Sequence, residues 1–136
     1  MNKVSPERTG WRDEGISTRH RLWGFDCPAL DLDFVMVEYD YGKPMAIVEY
    51  KNERAQYHKK DSNGYKAVAL LATNSKIPFI GCIYTSDLCW YAVAALNETA
   101  VRFVPRPLRM TEFEWVELLY EIRGRDMPSD LFDVRK

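Results

Sequence analysis

The chain has 136 residues, of which 46% are hydrophobic and 29% are charged, and its formal net charge is −1 at pH 7. This length predicts a single domain over residues 1–136 with a real hydrophobic core. The near-zero net charge excludes a global basic field, so any contact with a polyanion must come from local patches. The polar start MNKVSPERTGWRDEG, the lack of a long apolar run and the lack of zinc-type cysteine spacing predict no signal peptide, no membrane span and a cytoplasmic chain with reduced thiols.

Residues 1–28 form a polar lead-in that ends in a basic cluster. Residues 1–15 predict a loose segment or a short helix, and Arg19, His20 and Arg21 then precede Trp23. Basic side chains beside an aromatic ring can hold a phosphate backbone and stack on a base. The alternative is that Trp23 packs in the core while the arginines are solvated, and the residues alone leave both interpretations open.

Residues 29–54 predict a β-hairpin. The strands are LDLDFVMVEY and PMAIVEYK, and the segment DYGKP between them contains turn-forming residues. Both strands are rich in β-branched and aromatic residues, which favour extended structure. The apolar runs FVMV and MAIV indicate strands that are covered on both faces.

Charged residues interrupt this apolar hairpin. Because side chains alternate along a strand, Asp31 and Asp33 share one face, and Glu49 and Lys51 share one face. A turn near Gly42 places Asp33 roughly opposite Glu49 to Lys51. Unpaired charges beside a core are costly, and a divalent cation would neutralise them; Mg²⁺ suits one or two carboxylates plus waters. The alternative is an exposed edge hairpin with a surface salt bridge.

The segment after the hairpin is basic and leads into a helix. NERAQYHKKDSNGYK supplies cations that either contact phosphate or belong to an ordinary solvated loop, namely Arg54, Lys59, Lys60 and Lys66. Residues 62–76 predict a helix capped by Asp61 or Ser62, with an apolar stripe. That stripe consists of Tyr65, Val68, Ala69 and Ala72.

The remainder predicts strands and one more helix. IPFIGCIYT and CWYAVAALN are apolar enough for sheet strands, in which Tyr84 and Trp90 are read as core or sheet-face aromatics in preference to base-stacking residues. Residues 101–110 predict a short strand ended by Pro105 and Pro107. Residues 111–124 predict a helix with a Thr111–Glu114 capping box and a glycine stop.

An Asp in one strand followed by Glu-x-Lys at the end of the next resembles the PD-(D/E)XK nuclease superfamily, with Asp33 and Glu49-Tyr50-Lys51 carrying the match. The resemblance covers roughly residues 19–100 and is to small phage and bacterial members; Leu32 stands where the motif is named for proline. It implies an α/β (α+β) restriction-endonuclease-like core, a central mixed sheet flanked by helices in the order αβββαβ.

The resemblance also implies an activity, which is Mg²⁺-dependent hydrolysis of phosphodiester bonds in nucleic acid, with DNA as the expected substrate and Mn²⁺ as a substitute metal. Asp33 and Glu49 would bind the metal, Asp31 would be an additional carboxylate, and the carbonyl of Tyr50 would complete the shell. Lys51 would position the attacking water. The phosphate backbone would be held by Arg19, His20, Arg21, Arg54, Lys59, Lys60 and Lys66.

Some features depart from the superfamily or leave alternatives. The helix after the hairpin lacks the expected glutamine, and Lys66 would take its place; Glu14 is a weak candidate for an N-terminal acid. The second hypothesis is a catalytically inactive protein of the same fold that binds nucleic acid or a protein, and the third is a small-molecule-binding barrel. A homodimer would supply the two active sites that a double-strand cut needs.

Overall fold

The computed structural model describes residues 14–24, 26, 28–30, 32–55 and 62–131. By its internal contacts the chain divides into two compact units, Met1–Asp31 and Leu32–Lys136. The first unit contains helix α1, Glu14–Trp23. The second contains every strand described. A single domain over the whole chain stays a prediction.

The second unit is an α+β structure built on a five-stranded mixed sheet, which confirms the predicted fold class at this level. Along the chain its elements are β1 (Phe34–Glu38), β2 (Lys43–Asn52), α2 (Asn63–Asn74), β3 (Phe79–Tyr84), β4 (Trp90–Ala95), α3 (Glu98–Val101), β5 (Leu108–Thr111) and α4 (Glu112–Arg123). The strands lie in the order β1-β2-β3-β4-β5. Only β2 and β3 are parallel, and α2 makes the crossover between them. The predicted order αβββαβ is not confirmed, since two strands precede α2 within the described residues.

The β1–β2 hairpin turns at the predicted place. A short 3-10 turn, Tyr39–Tyr41, is closed by Gly42, whose φ of 60° is left-handed. Glycine adopts this conformation without the steric cost that a Cβ would bring. The turn sets the pairing Phe34↔Val48 and Val35↔Ile47, with a bulge between Met36 and Val37.

The two faces of the sheet are covered differently. On one face α4 closes the larger core, to which β2, β3 and β4 contribute Ala46, Val48, Ile80, Cys82 and Val93, and α4 contributes Trp115, Leu118 and Ile122. On the other face α2 packs Val68 and Ala72 on Ile47 and Phe79. Alternation along β2 therefore directs Ala46, Val48 and Tyr50 toward α4 and directs Ile47, Glu49 and Lys51 toward the α2 face.

Helices α2 and α4 begin at the capping residues predicted from the sequence, and α4 ends at the predicted glycine. Ser62 caps α2 by accepting a hydrogen bond from the Tyr65 N–H. Thr111 and Glu114 form the predicted capping box of α4, and Gly124 ends that helix with a φ of 80°. The prediction of a strand that ends at Pro105 and Pro107 is wrong. β5 begins after those prolines, where main-chain N–H groups are again free to pair with β4.

One buried ion network ties the hairpin turn to the end of α4. Glu38, only 6% exposed, accepts from Arg123 Nη2 at 3.3 Å and from Arg125 Nε at 2.6 Å. Arg125 Nη2 also donates to Asp40 Oδ2 at 2.7 Å. Burial alone would raise the pKa of Glu38, but the hydrogen bonds and charges of the two arginines outweigh it, so the pKa is lowered from its ordinary value of 4.5. The charged form is thus favoured by folding.

We expect Glu38→Gln to lower the free energy of unfolding near neutral pH and to flatten its acid dependence. Because the folded pKa of Glu38 is depressed, its contribution is complete above ~4.5 and is lost as pH falls through the folded value. Urea unfolding between about pH 7 and 3 measures this. Glu117→Gln, an exposed position on α4, is the control. Equal pH slopes for the wild type and Glu38→Gln would contradict the expectation.

Candidate functional site

Asp33 and Glu49 meet at the open end of the β1–β2 hairpin. The pairing of Phe34 with Val48 continues one step to set Asp33 opposite Glu49. Asp33 is fixed there, because the main-chain N–H of Tyr50 donates to its Oδ2 over 3.0 Å. The predicted placement of Asp33 opposite Glu49 to Lys51 is confirmed as geometry.

Glu49 and Lys51 project from the same face of β2, two residues apart. The Nζ of Lys51 lies 4.0 Å from Oε2 of Glu49, and the two side chains are 36% and 20% exposed. Next to them along this face is Ile47, which is buried under α2. The three charged side chains therefore stand where the apolar contact of α2 with the sheet ends.

The electrostatics of the site are dominated by its two carboxylates. Burial raises the pKa of Glu49, and the negative charge of Asp33 raises it further, while Lys51 lowers it. The net shift of the Glu49 pKa is upward, so the ammonium group of Lys51 does not offset burial and the charge of Asp33 together. Such a site binds an additional cation favourably, since the cation relieves both the desolvation and the mutual repulsion.

Tyr65, in the first turn of α2, lies near this site and was not among the site residues predicted from the sequence. Burial raises its pKa, and the charges of Glu49 and Asp33 raise it further, so its hydroxyl is within electrostatic reach of both carboxylates and stays neutral. Its ring also packs against Phe79, with centroids 5.9 Å apart. The sequence signal was its membership of the apolar stripe of the helix, which does not distinguish a phenol from a core aromatic.

Tyr50 anchors the site from the opposite face of the sheet. Its ring is surrounded edge-on by Phe34, Tyr84 and Trp115, with centroids 5.3, 6.3 and 6.2 Å away. Its hydroxyl accepts from Nε1 of Trp115 at 3.1 Å. Burial raises the pKa of Tyr50 to about 12. The residue whose N–H holds Asp33 is therefore immobilised by aromatic packing, although the role predicted for its carbonyl stays a prediction.

The other predicted site residues are distributed as follows. Asp31, Lys59 and Lys60 lie outside the described residues. Arg54 is exposed in the turn after β2, where its N–H donates to Oδ1 of Asn52, and Lys66 is exposed in the first turn of α2 beside Tyr65.

The N-terminal cluster lies on α1, in the first compact unit. Arg19, His20 and Arg21 are all exposed there. Trp23 is 49% exposed and contacts the ring of His20 edge-on, with centroids 5.1 Å apart, so it is not a core residue. The interpretation in which Trp23 packs in the core is therefore wrong, whereas phosphate contact by the cluster stays a prediction.

The donor set of the site fits a hard divalent cation. Asp33 and Glu49 supply two carboxylates, and Mg²⁺ is commonly held by one or two carboxylates with water in its remaining positions. Within the described ranges, no group of three or more His, Cys, Asp or Glu side chains is arranged to hold a metal ion. The described residues therefore offer two carboxylates to such a cation.

Comparison of the chain with protein-family models, with curated proteins and with solved structures gives no match. Among the helices described, none combines the length and the apolar composition that crossing a bilayer requires.

We expect Glu49→Gln to raise the midpoint of thermal unfolding near neutral pH in metal-free buffer. The folded pKa of Glu49 is raised, so the ionised carboxylate opposes folding, and this cost appears as pH rises above the ordinary value of 4.5. The gain should shrink toward low pH, where the wild-type carboxyl is protonated. Thermal melts from about pH 4 to 7 with a chelator present measure it. A variant less stable than the wild type across this range would refute the reading of the site.

Proposed function

We propose that this protein is a metal-dependent phosphodiesterase that hydrolyses nucleic acid, with DNA as its substrate. The observation that carries the proposal is the convergence of Asp33, Glu49 and Lys51 on one face of the hairpin, with Lys51 Nζ 4.0 Å from the Glu49 carboxylate. The same three residues carry the resemblance to the PD-(D/E)XK pattern. The pattern and the geometry therefore concern the same cluster, which supports the proposal.

In this proposal Asp33 and Glu49 hold Mg²⁺ together with the Tyr50 carbonyl. When bound, the ion activates a water molecule and stabilises charge on the scissile phosphate. The chain's own contribution is orientation. The N–H of Tyr50 fixes Asp33, and the aromatic packing of Tyr50 keeps β2 from shifting. A bound cation would relieve the repulsion between the Asp33 and Glu49 carboxylates, and this relief favours the ion-bound state of the protein over the ion-free state.

Lys51 supplies the positive charge that faces the phosphate. Its ammonium group is 36% exposed at the mouth of the site, so a phosphate oxygen or the attacking water can reach it. A fixed cation at this point stabilises the charge that develops on the phosphoryl oxygens. The neutral hydroxyl of Tyr65 is a further hydrogen-bond donor near the same carboxylates.

Lys66 adds positive charge beside the site. It follows Tyr65 in α2 and is exposed, and it is the single charged side chain of that helix. A phosphate backbone approaching Asp33 and Glu49 therefore meets a helix with positive and no negative side chains.

Cleavage of labelled DNA in Mg²⁺ or Mn²⁺ tests the proposal directly. We expect Asp33→Asn, Glu49→Gln and Lys51→Ala each to lose about 100-fold or more of the activity, because each removes a metal ligand or a charge facing the phosphate. Lys43→Ala, which removes an exposed lysine at the opposite end of β2, is the matched control and should retain activity. Single-stranded, duplex and branched DNA, with RNA beside them, define the substrate.

Metal binding is expected to depend on the same carboxylates. Mg²⁺ or Mn²⁺ should raise the thermal midpoint of the wild type and of Lys43→Ala, but not that of Asp33→Asn or Glu49→Gln, because a ligand stabilises only the state that binds it. Nucleic acid binding without metal binding or cleavage would instead establish the inactive binding module. Full activity in purified Glu49→Gln would reject the assignment of roles.

A further inference from the structure

The α2 face of the sheet is exposed at β4. β4 is an interior strand, paired with β3 on one side and β5 on the other. Nevertheless Ala92 is exposed and Trp90 is 38% exposed. Their neighbours Tyr91 and Val93 point to the other face and are buried under α4. An interior strand with one exposed face indicates a surface that the described part of the chain leaves uncovered.

Strand register connects this surface to the candidate site. Lys51 is paired with Ile83, Ile83 with Ala92, and Ala92 with Arg109. Paired residues on neighbouring strands project from the same face, so these four side chains form one row across β2, β3, β4 and β5. With strands about 4.8 Å apart, Arg109 is about 14 Å from Lys51.

The middle of this face has small side chains. In the row next to the one just described, Glu49 is paired with Gly81 and Gly81 with Ala94. Ala92 is exposed, Ala94 and Ile83 are half-buried, and Gly81 is buried. The exposed part of this face therefore lies on β4 and β5, across β3 from Glu49 and Lys51.

The exposed part of this face holds a stacked pair. The guanidinium carbon of Arg109 lies 4.2 Å from the centre of the Trp90 ring. Among the described residues, Arg109 pairs with no carboxylate, so its charge is available to a ligand. Proteins bind single-stranded nucleic acid with exposed aromatic rings and arginines, because bases stack on rings and on guanidinium planes and the guanidinium contacts phosphate. Since the Arg109 guanidinium lies over one face of the Trp90 ring, a base stacks on the guanidinium plane or on the remaining exposed part of the ring.

We infer that Trp90 and Arg109 form a binding subsite for a single-stranded segment of the substrate, which extends across the sheet from Lys51 to β5. This inference rests on the proposed function for the identity of the ligand. It also assigns Trp90 to substrate binding, where the sequence favoured a core or sheet-face aromatic. The subsite holds nucleotides adjacent to the scissile phosphate, not the phosphate itself.

Binding without metal separates this subsite from the catalytic cluster. A fluorescent thymidine oligonucleotide of about 12 nucleotides is titrated with protein in a chelator, and anisotropy gives the dissociation constant. We expect Trp90→Ala and Arg109→Ala each to weaken binding about tenfold, and Trp90→Phe to retain most of the affinity because it keeps a stacking ring. Circular dichroism and thermal melts confirm that each variant is folded.

Arg102→Ala is the matched control. The guanidinium carbon of Arg102 also lies over an aromatic ring, 4.9 Å from the centre of Phe103, but Phe103 packs against the core that α4 covers. The variant removes the same charge and the same kind of stack, so it should bind like the wild type. If Arg102→Ala lost as much affinity for the oligonucleotide as Arg109→Ala, the loss would be an effect of net charge alone, and the proposed subsite would be overturned.

The two proposals fail separately. Wild-type affinity in Trp90→Ala and Arg109→Ala, tighter binding of duplex that ignores Trp90, or no binding of single strands overturns the subsite, whatever the cleavage assay gives. Trp90-dependent binding in a protein that cleaves nothing in Mg²⁺ or Mn²⁺ supports the subsite and rejects the proposed hydrolysis. DNA and RNA oligonucleotides of equal length show whether the sugar contributes.

Discussion

The two-residue alternation along β2 is the constraint on which the rest of the molecule depends. Val48 and Tyr50 enter the core under α4, so Glu49 and Lys51 must point to the other face. A slip of one residue against β1 or β3 would bury both charges and expose the aromatic contacts of Tyr50. The apolar core thus enforces the position of the charged cluster, and no contact within the cluster is needed to specify it.

The position of α2 determines why the cluster is only partly buried. Its apolar side chains cover Ile47 and Phe79, and its first turn ends at Tyr65 beside the carboxylates. Glu49 is consequently shielded enough for burial to raise its pKa, yet it is still reachable from solvent. Energetically unfavourable groups such as a partly buried carboxylate are concentrated at sites that bind ligands, where they lower stability locally and the rest of the fold compensates. Here the compensation comes from the aromatic packing of Tyr50 and the core beneath it.

Local patterns in the sequence were sufficient for most elements of the second unit. The hairpin, the glycine turn, the capped helices α2 and α4 and the placement of Asp33 opposite Glu49 all follow from periodicity and capping, which act over a few residues. The strand misplaced before Pro105 shows the limit of such reasoning, because an apolar run beside prolines does not say on which side pairing resumes. The short helix α3 was not predicted from the sequence.

Contacts between distant segments were not predictable by the same means. Glu38 meets Arg123 and Arg125 across separations of 85 and 87 residues, so no local pattern marks the network. Trp90 and Arg109 become neighbours only through the pairing of β4 with β5. In the sequence Tyr65 is a member of the apolar stripe of α2, and only the structure places it near the carboxylates of Glu49 and Asp33. The candidate ligands were recognisable from the sequence, whereas the exposed face of β4 and β5 required the register of the whole sheet.

The division of charge between the two faces reconciles a net charge of −1 with the proposed polyanionic substrate. α4 carries four glutamates and one arginine, and it covers the face away from Glu49 and Lys51. α2 carries only Lys66, on the same face as the cluster. Near a surface, potential depends on the charges within roughly 8–10 Å, so the glutamates of α4 disfavour binding mainly on their own side, and only Glu112, which follows the Thr111 paired with Trp90, lies close to the β5 end of the other face. A chain with no overall basic character can therefore present one face to nucleic acid and reject it at the other.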